Sequence, residues 1–114
     1  MNTEEYRTTC RQKNAFRVSE LEQTFNVLRQ EGVAEASIVA TALLSGIVKT
    51  PELYAGQRIE HFCLVLCSFE QADVIVDALF DAEASSISAT GEATAETDKL
   101  VNLVNKWSMY RETL

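Results

Sequence analysis

Residues 61–83 read HFCLVLCSFEQADVIVDALFDAE, and the structure of this stretch decides the fold of the chain. Its large apolar side chains recur every three or four positions, which is typical of one face of an α-helix. Further upstream, Thr50-Pro51-Glu52 combines an N-cap residue, a proline for the first helical position and an acid for the first turn. The pattern runs over about residues 51–83 and predicts one long helix of about 25–30 residues, from which Gly56 could separate a short leading turn.

The beginning of this stretch has a second interpretation. A strand over residues 58–69, followed by a helix from about Phe69, would place His61, Cys63 and Cys67 on one face, where metal ligands could converge. In a helix, Cys63 and Cys67 share a face and His61 lies across from them. A tetrahedral zinc site needs four ligands, or three and a water, and the helix supplies two thiolates. We favour the helix and predict that the cysteines pack as small hydrophobic core residues.

Three other segments show helical features. Ser19-Glu20-Leu21-Glu22 matches a capping box and Gly32 is a natural stop, which predicts a helix over about residues 20–31. Residues 34–49 are apolar on nearly every side, which is typical of a buried helix. A final amphipathic helix is marked by apolar residues at helical spacing: Leu100, Leu103, Trp107, Tyr110 and Leu114.

The predicted fold class is all-α. We expect one small helical domain over residues 18–114, built on a helical hairpin with additional flanking helices. The hairpin is formed by the helices predicted over residues 34–49 and 51–83. Residues 1–17 have weak periodicity and are predicted to form an N-terminal arm. Residues 84–96, ASSISATGEATAE, are small and polar and are predicted to be a flexible linker inside the domain.

Composition limits the classes of protein that this chain can represent. It has 114 residues with a net charge of −7, and 46% of its residues are hydrophobic, as in an ordinary globular domain. The longest mainly apolar stretch, residues 38–48, is about half the length of a membrane span. The first residues, MNTEEYR, lack the cationic and apolar pattern of a signal peptide. We expect a cytoplasmic protein in which Cys10, Cys63 and Cys67 are free thiols.

Negative charge is concentrated in the second half of the chain. Between residues 59 and 98 there are nine acidic residues and no lysine or arginine, which argues against direct nucleic-acid binding. Asp73, Asp77 and Asp81 follow at four-residue steps with Glu70 beside them, so they form one acidic stripe on a helix. Such a stripe is usually a solvated face. The alternative is a docking surface for a basic partner, and we include all four acids among the candidate partner-binding residues.

Trp107 and Tyr110 are two further candidate partner-binding residues, because tryptophan and tyrosine are enriched at interface hot spots. Their spacing also suits the core of the domain. If the linker over residues 84–96 is mobile, the last helix could instead pack on a second copy. We therefore predict a homodimer.

Motifs for catalysis are absent from the sequence. His61 has no nucleophile or orienting acid at a suitable position, and there is neither a glycine-rich phosphate loop nor an H-E-x-x-H motif. The spacing of Cys63 and Cys67 is C-x3-C, which differs from the redox-active C-x-x-C. We predict a protein that is not an enzyme, with no cofactor and no metal, whose function is to bind another protein.

Three segments resemble small all-helical bacterial antiactivators of quorum sensing (QslA-type): ASIVATALLSGIV (residues 36–48), TPEL (50–53) and HFCLVLCSFEQADVIVDALF (61–80). The resemblance covers residues 34–83 and lies in size, charge and helix pattern, so it assigns no individual functional residue. It implies a partner, the ligand-binding domain of a LuxR-type transcription regulator. The protein would occlude the regulator's dimerisation surface without touching DNA.

Two other functions remain open. A phage- or plasmid-type inhibitor could use the acidic stripe to imitate nucleic acid, and its affinity would then fall steeply with salt. A small helical subunit of a larger assembly would also fit the composition and would behave poorly alone.

Overall fold

A computed structural model describes residues 3–48, 61–87 and 90–114 of the chain. Within these residues the elements run in the order α1 (Thr3–Cys10), β1 (Ala15–Arg17), α2 (Val18–Gln30), α3 (Ala36–Ser45), β2 (Phe62–Leu64), α4 (Phe69–Ser85) and α5 (Ala95–Arg111). The protein is mostly helical, as predicted, with one small antiparallel sheet of two strands as the difference. None of the helices within these ranges is long and apolar enough to cross a bilayer.

The single long helix predicted over residues 51–83 is wrong for residues 62–68. Phe62–Leu64 is strand β2, and α4 begins at Phe69, so the alternative of a strand followed by a helix is the correct one. A short apolar run fits a buried strand as well as a helix, because periodicity alone does not separate the two. The predicted start at Thr50 lies outside the described residues.

The beginning of α4 is fixed by a capping box. The Ser68 hydroxyl accepts a hydrogen bond from the Gln71 backbone N–H at 3.2 Å, and the Gln71 side-chain oxygen accepts one from the Ser68 N–H at 2.9 Å. These two bonds satisfy backbone donors that have no partner inside the helix. The chain can therefore leave the extended conformation of Ser68 and turn sharply into α4.

Strand β2 is bonded on both of its edges. On one side it pairs with β1, with Phe16 opposite Cys63. On the other side, residues 46–48 run antiparallel to it: the Val48 N–H donates to the Phe62 carbonyl and the Leu64 N–H donates to the Gly46 carbonyl, both at 2.8 Å. This close approach requires glycine at position 46, where a Cβ atom would lie 2.5 Å from the Leu64 carbonyl oxygen.

The predicted N-terminal arm contributes to the core of the domain. Residues 3–10 form α1, and β1 follows with Ala15 and Phe16 fully buried. The predicted boundary after residue 17 therefore divides a strand of the core from the helix that follows it. Nothing in the local sequence marks β1, since a three-residue strand gains its stability from a partner far along the chain.

Helix α2 agrees with its prediction to within about two residues. It begins earlier than expected, because the Glu20 carboxylate accepts a hydrogen bond from the Arg17 N–H at 2.8 Å in place of the predicted Ser19 cap. It ends as expected before Gly32, whose φ of 70° is readily adopted only by glycine. The Val33 N–H then donates to the Leu28 carbonyl at 3.0 Å and closes the helix end.

The helical hairpin of the fold is formed by α4 and α5. The predicted hairpin of helices over residues 34–49 and 51–83 is wrong, because residues 62–64 are a strand. Near one end of the hairpin Arg111 pairs with Asp73 at 2.8 Å, and at the other end the Ser86 and Thr97 hydroxyls are 2.7 Å apart. These contacts show that the two helices run antiparallel. The predicted linker over residues 84–96 is shorter, because α4 extends to Ser85 and α5 begins at Ala95.

The core lies where the hairpin, α2 and the sheet meet. Trp107 of α5 is fully buried, with its ring centroid 4.4 Å from that of Phe16 in β1. The indole Nε1 donates to the Thr24 hydroxyl of α2 at 3.1 Å, so the buried polar atom has a partner. One aromatic side chain thus connects three elements that are distant in sequence.

Candidate partner-binding surface

An apolar groove of about 520 Å³ lies between α3 and the strand segment of residues 62–66. Ten residues line it, and none of them is charged. Six of them are aliphatic: Ile38, Ala42, Ile47, Val48, Leu64 and Leu66. The others are Gly46 and three residues with hydroxyl groups at the rim, Thr9, Thr41 and Ser45. We call this feature the α3–β2 groove.

The large side chains in and near the groove are unusually exposed. Leu66 is 83% exposed and Ile47 is 55% exposed, and on α3 the neighbouring Leu44 is 85% exposed. Single exposed hydrophobic residues are common on protein surfaces, but a contiguous apolar patch usually marks an interaction site. The groove is such a patch in a chain with a net charge of −7.

Tyr110 holds the backbone on both sides of Leu66. Its hydroxyl donates to the Val65 carbonyl at 3.0 Å, and the Cys67 N–H donates to the same hydroxyl at 3.3 Å. Val65 is fully buried and Cys67 is half-buried, so the intervening side chain of Leu66 is left on the outer face. Asn14 strengthens this anchor, because its side-chain amide donates to the same Val65 carbonyl at 3.1 Å.

The three rim hydroxyls are already bonded within their own helices. Thr9 donates to the Glu5 carbonyl at 2.8 Å, while Thr41 and Ser45 each donate at 2.9 Å to the carbonyl four residues earlier. Their protons therefore have acceptors without a ligand. The groove consequently offers mainly apolar contact, which suits the apolar side chains of a protein better than a polar small molecule.

Two of the predicted partner-binding residues are buried inside the chain. Trp107 is 0% and Tyr110 is 3% exposed, so neither side chain can reach a partner and the prediction of a contact role for them is wrong. Their spacing suits the core as well as an interface, and the sequence does not distinguish the two. Tyr110 acts on the surface only indirectly, by anchoring the neighbours of Leu66.

The four predicted acidic residues lie on α4, on the outside of the hairpin. Glu70, Asp77 and Asp81 are exposed, and Asp73 is partly exposed and pairs with Arg111 of α5. The ion pair ties α4 to α5 at low energetic gain, as exposed pairs do. The structure therefore leaves three of the four stripe carboxylates available to solvent or to a basic partner.

The histidine and the cysteines do not form a metal site. Cys63 is fully buried in the core, Cys67 is partly buried against it, and His61 is exposed. No group of three metal-ligating side chains occurs within residues 3–48, 61–87 and 90–114. Burial raises the pKa of the Cys63 and Cys67 thiols, which lowers the fraction of reactive thiolate. The core packing predicted for the cysteines is thus confirmed, although in a strand and loop rather than in a helix.

Comparisons with protein-family models, with curated proteins and with solved structures found no match to this chain. The resemblance to quorum-sensing antiactivators stays a prediction.

The exposed residues Leu44, Ile47 and Leu66 were not among the sequence-predicted site residues. The stretch ASIVATALLSGIV is apolar on almost every side of a helix, and a ten-residue helix at the surface of a small domain cannot bury all of these sides. That excess of apolar residues is the signal that could have identified the groove. Leu66 has no comparable signal, because its exposure depends on the distant anchor Tyr110.

The Tyr110 anchor predicts a pH dependence of stability. Burial, followed by the contact with the Cys67 thiol, raises the pKa of Tyr110 from 10.0 to about 12. Between pH 10 and 12 the unfolded chain loses this phenol proton while the folded chain keeps it. The free energy of unfolding is therefore expected to fall as the pH rises through this window.

This expectation can be checked with urea denaturation of the wild type and of Tyr110→Phe at several pH values. The wild type should lose more stability than the variant between pH 10 and 12. The control is Tyr6→Phe, which leaves Tyr110 in place. This variant should keep the fall in unfolding free energy with pH that Tyr110 contributes. Equal slopes for the wild type and Tyr110→Phe would show that the hydroxyl is not held as described.

Proposed function

We propose that this protein is a non-enzymatic regulator that binds another protein through the α3–β2 groove. The observation that carries the proposal is the uncharged, largely aliphatic lining of the groove, with Leu66 83% exposed at its edge. Burial of such side chains contributes about 1.5–3 kcal/mol each when the contact is complete. A partner with a matching apolar surface is therefore the class of ligand that gains most from the groove.

The partner that we propose is a LuxR-type transcription regulator, in line with the resemblance to antiactivators. Regulators of this kind act as dimers, and an apolar dimerisation surface has the chemistry that the groove accommodates. Occupation of that surface would keep the regulator monomeric and lower its affinity for DNA. The proposal places the protein in the cytoplasm, where the regulator acts and where the three thiols stay reduced.

The test compares two variants that add the same charge at different places. Leu66→Glu introduces a carboxylate at the groove, and Phe80→Glu introduces one at a side chain of α4 that is 56% exposed and lies outside the groove lining. Fluorescence anisotropy with a purified LuxR-type regulator from the same host would measure binding. We expect Leu66→Glu to weaken binding at least about tenfold, which is 1.4 kcal/mol. Phe80→Glu should leave the affinity unchanged.

A second candidate function is favoured by the exposed carboxylates of Glu70, Asp77 and Asp81. Their negative face would suit a basic surface of a nucleic-acid-binding protein, which it could occupy in place of nucleic acid. Salt separates the two candidates, because an ionic interface weakens as the Debye length shortens and an apolar one does not. A steep loss of affinity with salt, together with weaker binding by Asp77→Asn, would contradict the groove proposal and support the acidic one.

A further inference from the structure

We propose that the α3–β2 groove also binds a second copy of this chain, giving a two-fold symmetric dimer joined through residues 46–48. The dimer is inferred from the geometry of this edge alone. Its competition with a partner protein, described below, rests on the proposed function.

The backbone at Ile47 is arranged as an open edge. Ile47 lies opposite Cys63, and the two hydrogen bonds between the segments come from the flanking residues: Val48 N–H to the Phe62 carbonyl and Leu64 N–H to the Gly46 carbonyl. In an antiparallel ladder this pattern turns the N–H and C=O of the middle residue away from the paired strand. No residue in the described part of the chain bonds to these two groups of Ile47.

An edge of this kind is complementary to itself. If two copies meet across a two-fold axis at Ile47, each Ile47 N–H can donate to the other copy's Ile47 carbonyl, which forms a hydrogen-bonded antiparallel pair. The side chain of Ile47, which lines the groove and is 55% exposed, would then lie directly beside its copy at the axis. Unpaired strand edges beside apolar side chains are the usual sites of such pairing.

Charge also favours a second copy as the occupant. Each copy carries a net charge of −7, but none of the ten residues of the groove is charged. Two copies can therefore meet at the groove without burying an ion, which would be energetically costly. The repulsion between the remaining charges is screened by salt. The dimer should consequently become tighter as the salt concentration rises.

The dimer would use the surface that we propose for partner binding. A protomer that is paired with its copy cannot hold a partner in the same groove, so self-association and partner binding exclude each other. The concentration of the protein would then set how much of it is available as a regulator, because a dimer releases binding-competent protomers only on dissociation.

A disulfide across the axis tests the geometry directly. Opposite residues in a hydrogen-bonded antiparallel pair have Cα atoms about 5.5 Å apart, within the range of a disulfide. Ile47→Cys, oxidised with copper–phenanthroline, is expected to give a covalent dimer whose 47–47 link is identified by mass spectrometry. Phe80→Cys has the same exposure, 56% against 55%, and should give no 80–80 link. Equal cross-linking of both variants, or none at position 47, would overturn the proposal.

Sedimentation equilibrium of the full chain gives the second readout. We expect a dimer for the wild type and for Phe80→Glu, and a monomer for Ile47→Glu at the same concentration. Since the Ile47 side chain is 55% exposed, its replacement should leave the fold intact, which circular dichroism would verify. A wild type that stays monomeric up to millimolar concentration, or a dimer that dissociates when salt is added, would contradict the inference.

The two proposals fail in different ways. A monomeric wild type that still binds the regulator through Leu66 would refute the dimer and leave the proposed function standing. A dimer that depends on Ile47 but never binds a regulator would refute the proposed function alone. Addition of the regulator to the dimer should give a one-to-one complex, and a complex with two copies of this chain bound to each other would disprove the competition.

Discussion

Replacing Trp107 by alanine is expected to lower the free energy of unfolding by about 3–5 kcal/mol. The indole is fully buried, packs against Phe16 at 4.4 Å between ring centroids, and donates a hydrogen bond to Thr24 at 3.1 Å. Alanine would leave a cavity between three elements and remove the buried donor. Because a whole domain is stable by only about 5–15 kcal/mol, this single change removes a large share of the total.

Urea denaturation followed by circular dichroism would measure the loss, since Trp107 is the only tryptophan and its fluorescence disappears in the variant. Met109→Ala is the matched control, because Met109 lies on the same helix and is 47% exposed. It should change stability by no more than about 0.5 kcal/mol. Similar losses for the two variants would mean that α5 does not face the core as described.

Replacing Phe16 by alanine is expected to destabilise the protein by a similar amount, about 3–5 kcal/mol. Phe16 is fully buried, and its ring contacts Trp107 and Tyr110 in a tilted and an edge-on arrangement, respectively. Its backbone also pairs with Cys63 of β2. The substitution therefore removes an aromatic side chain at the point where the sheet meets α5, in a segment that the sequence predicts to be an arm.

Phe80→Ala provides the control with the same chemical change at an exposed site. Phe80 is 56% exposed, so its truncation should cost well under half as much as that of Phe16. Trp107 fluorescence during urea denaturation can follow both variants, because the tryptophan is retained. If Phe16→Ala were as stable as Phe80→Ala, residues 15–17 would be an arm after all.

The sequence predicts well those elements that are specified by residues close to them in the chain. The stop at Gly32 depends on a backbone conformation that glycine adopts at low cost, and it is visible in one residue. The apolar face of α5 is visible in its spacing: Leu100, Leu103 and Trp107 are buried as predicted. Leu114, which the spacing assigns to the same face, lies beyond the end of α5 and is 47% exposed. In both cases the signal lies within a few residues of the structure it specifies.

The sheet could not be predicted in the same way. β2 and β1 are each three residues long, and their stability comes from pairing with each other across a long intervening chain. By its periodicity, the run FCLVLC fits a helix and a strand equally well. The capping box of Ser68 and Gln71, in contrast, is a local signal that marks the start of α4. The apolar helical spacing continues through that signal, so the spacing alone does not reveal the start of α4.

The candidate site was predicted less well than the fold. The exposure of Leu66 depends on Tyr110, which is far away in sequence, and the edge at Ile47 depends on bonds to β2. Neither the Tyr110 anchor nor the pairing with β2 can be predicted from the spacing of residues near Leu66 or Ile47. The residue types of Trp107 and Tyr110 instead favour a contact with a partner, although tryptophan and tyrosine are as common in a core as at an interface.

The position of Trp107 has a consequence for the order in which the protein can fold during synthesis. Its partner Thr24 lies 83 residues earlier in the chain. The core residues of β1 and β2 also pack against α5, so they cannot be fully buried before α5 has been made. Contacts this distant in sequence close late and slow folding compared with helical bundles of local contacts. Until α5 has been synthesised, the apolar side of the nascent sheet stays uncovered, and during that interval it is a target for aggregation or for a chaperone.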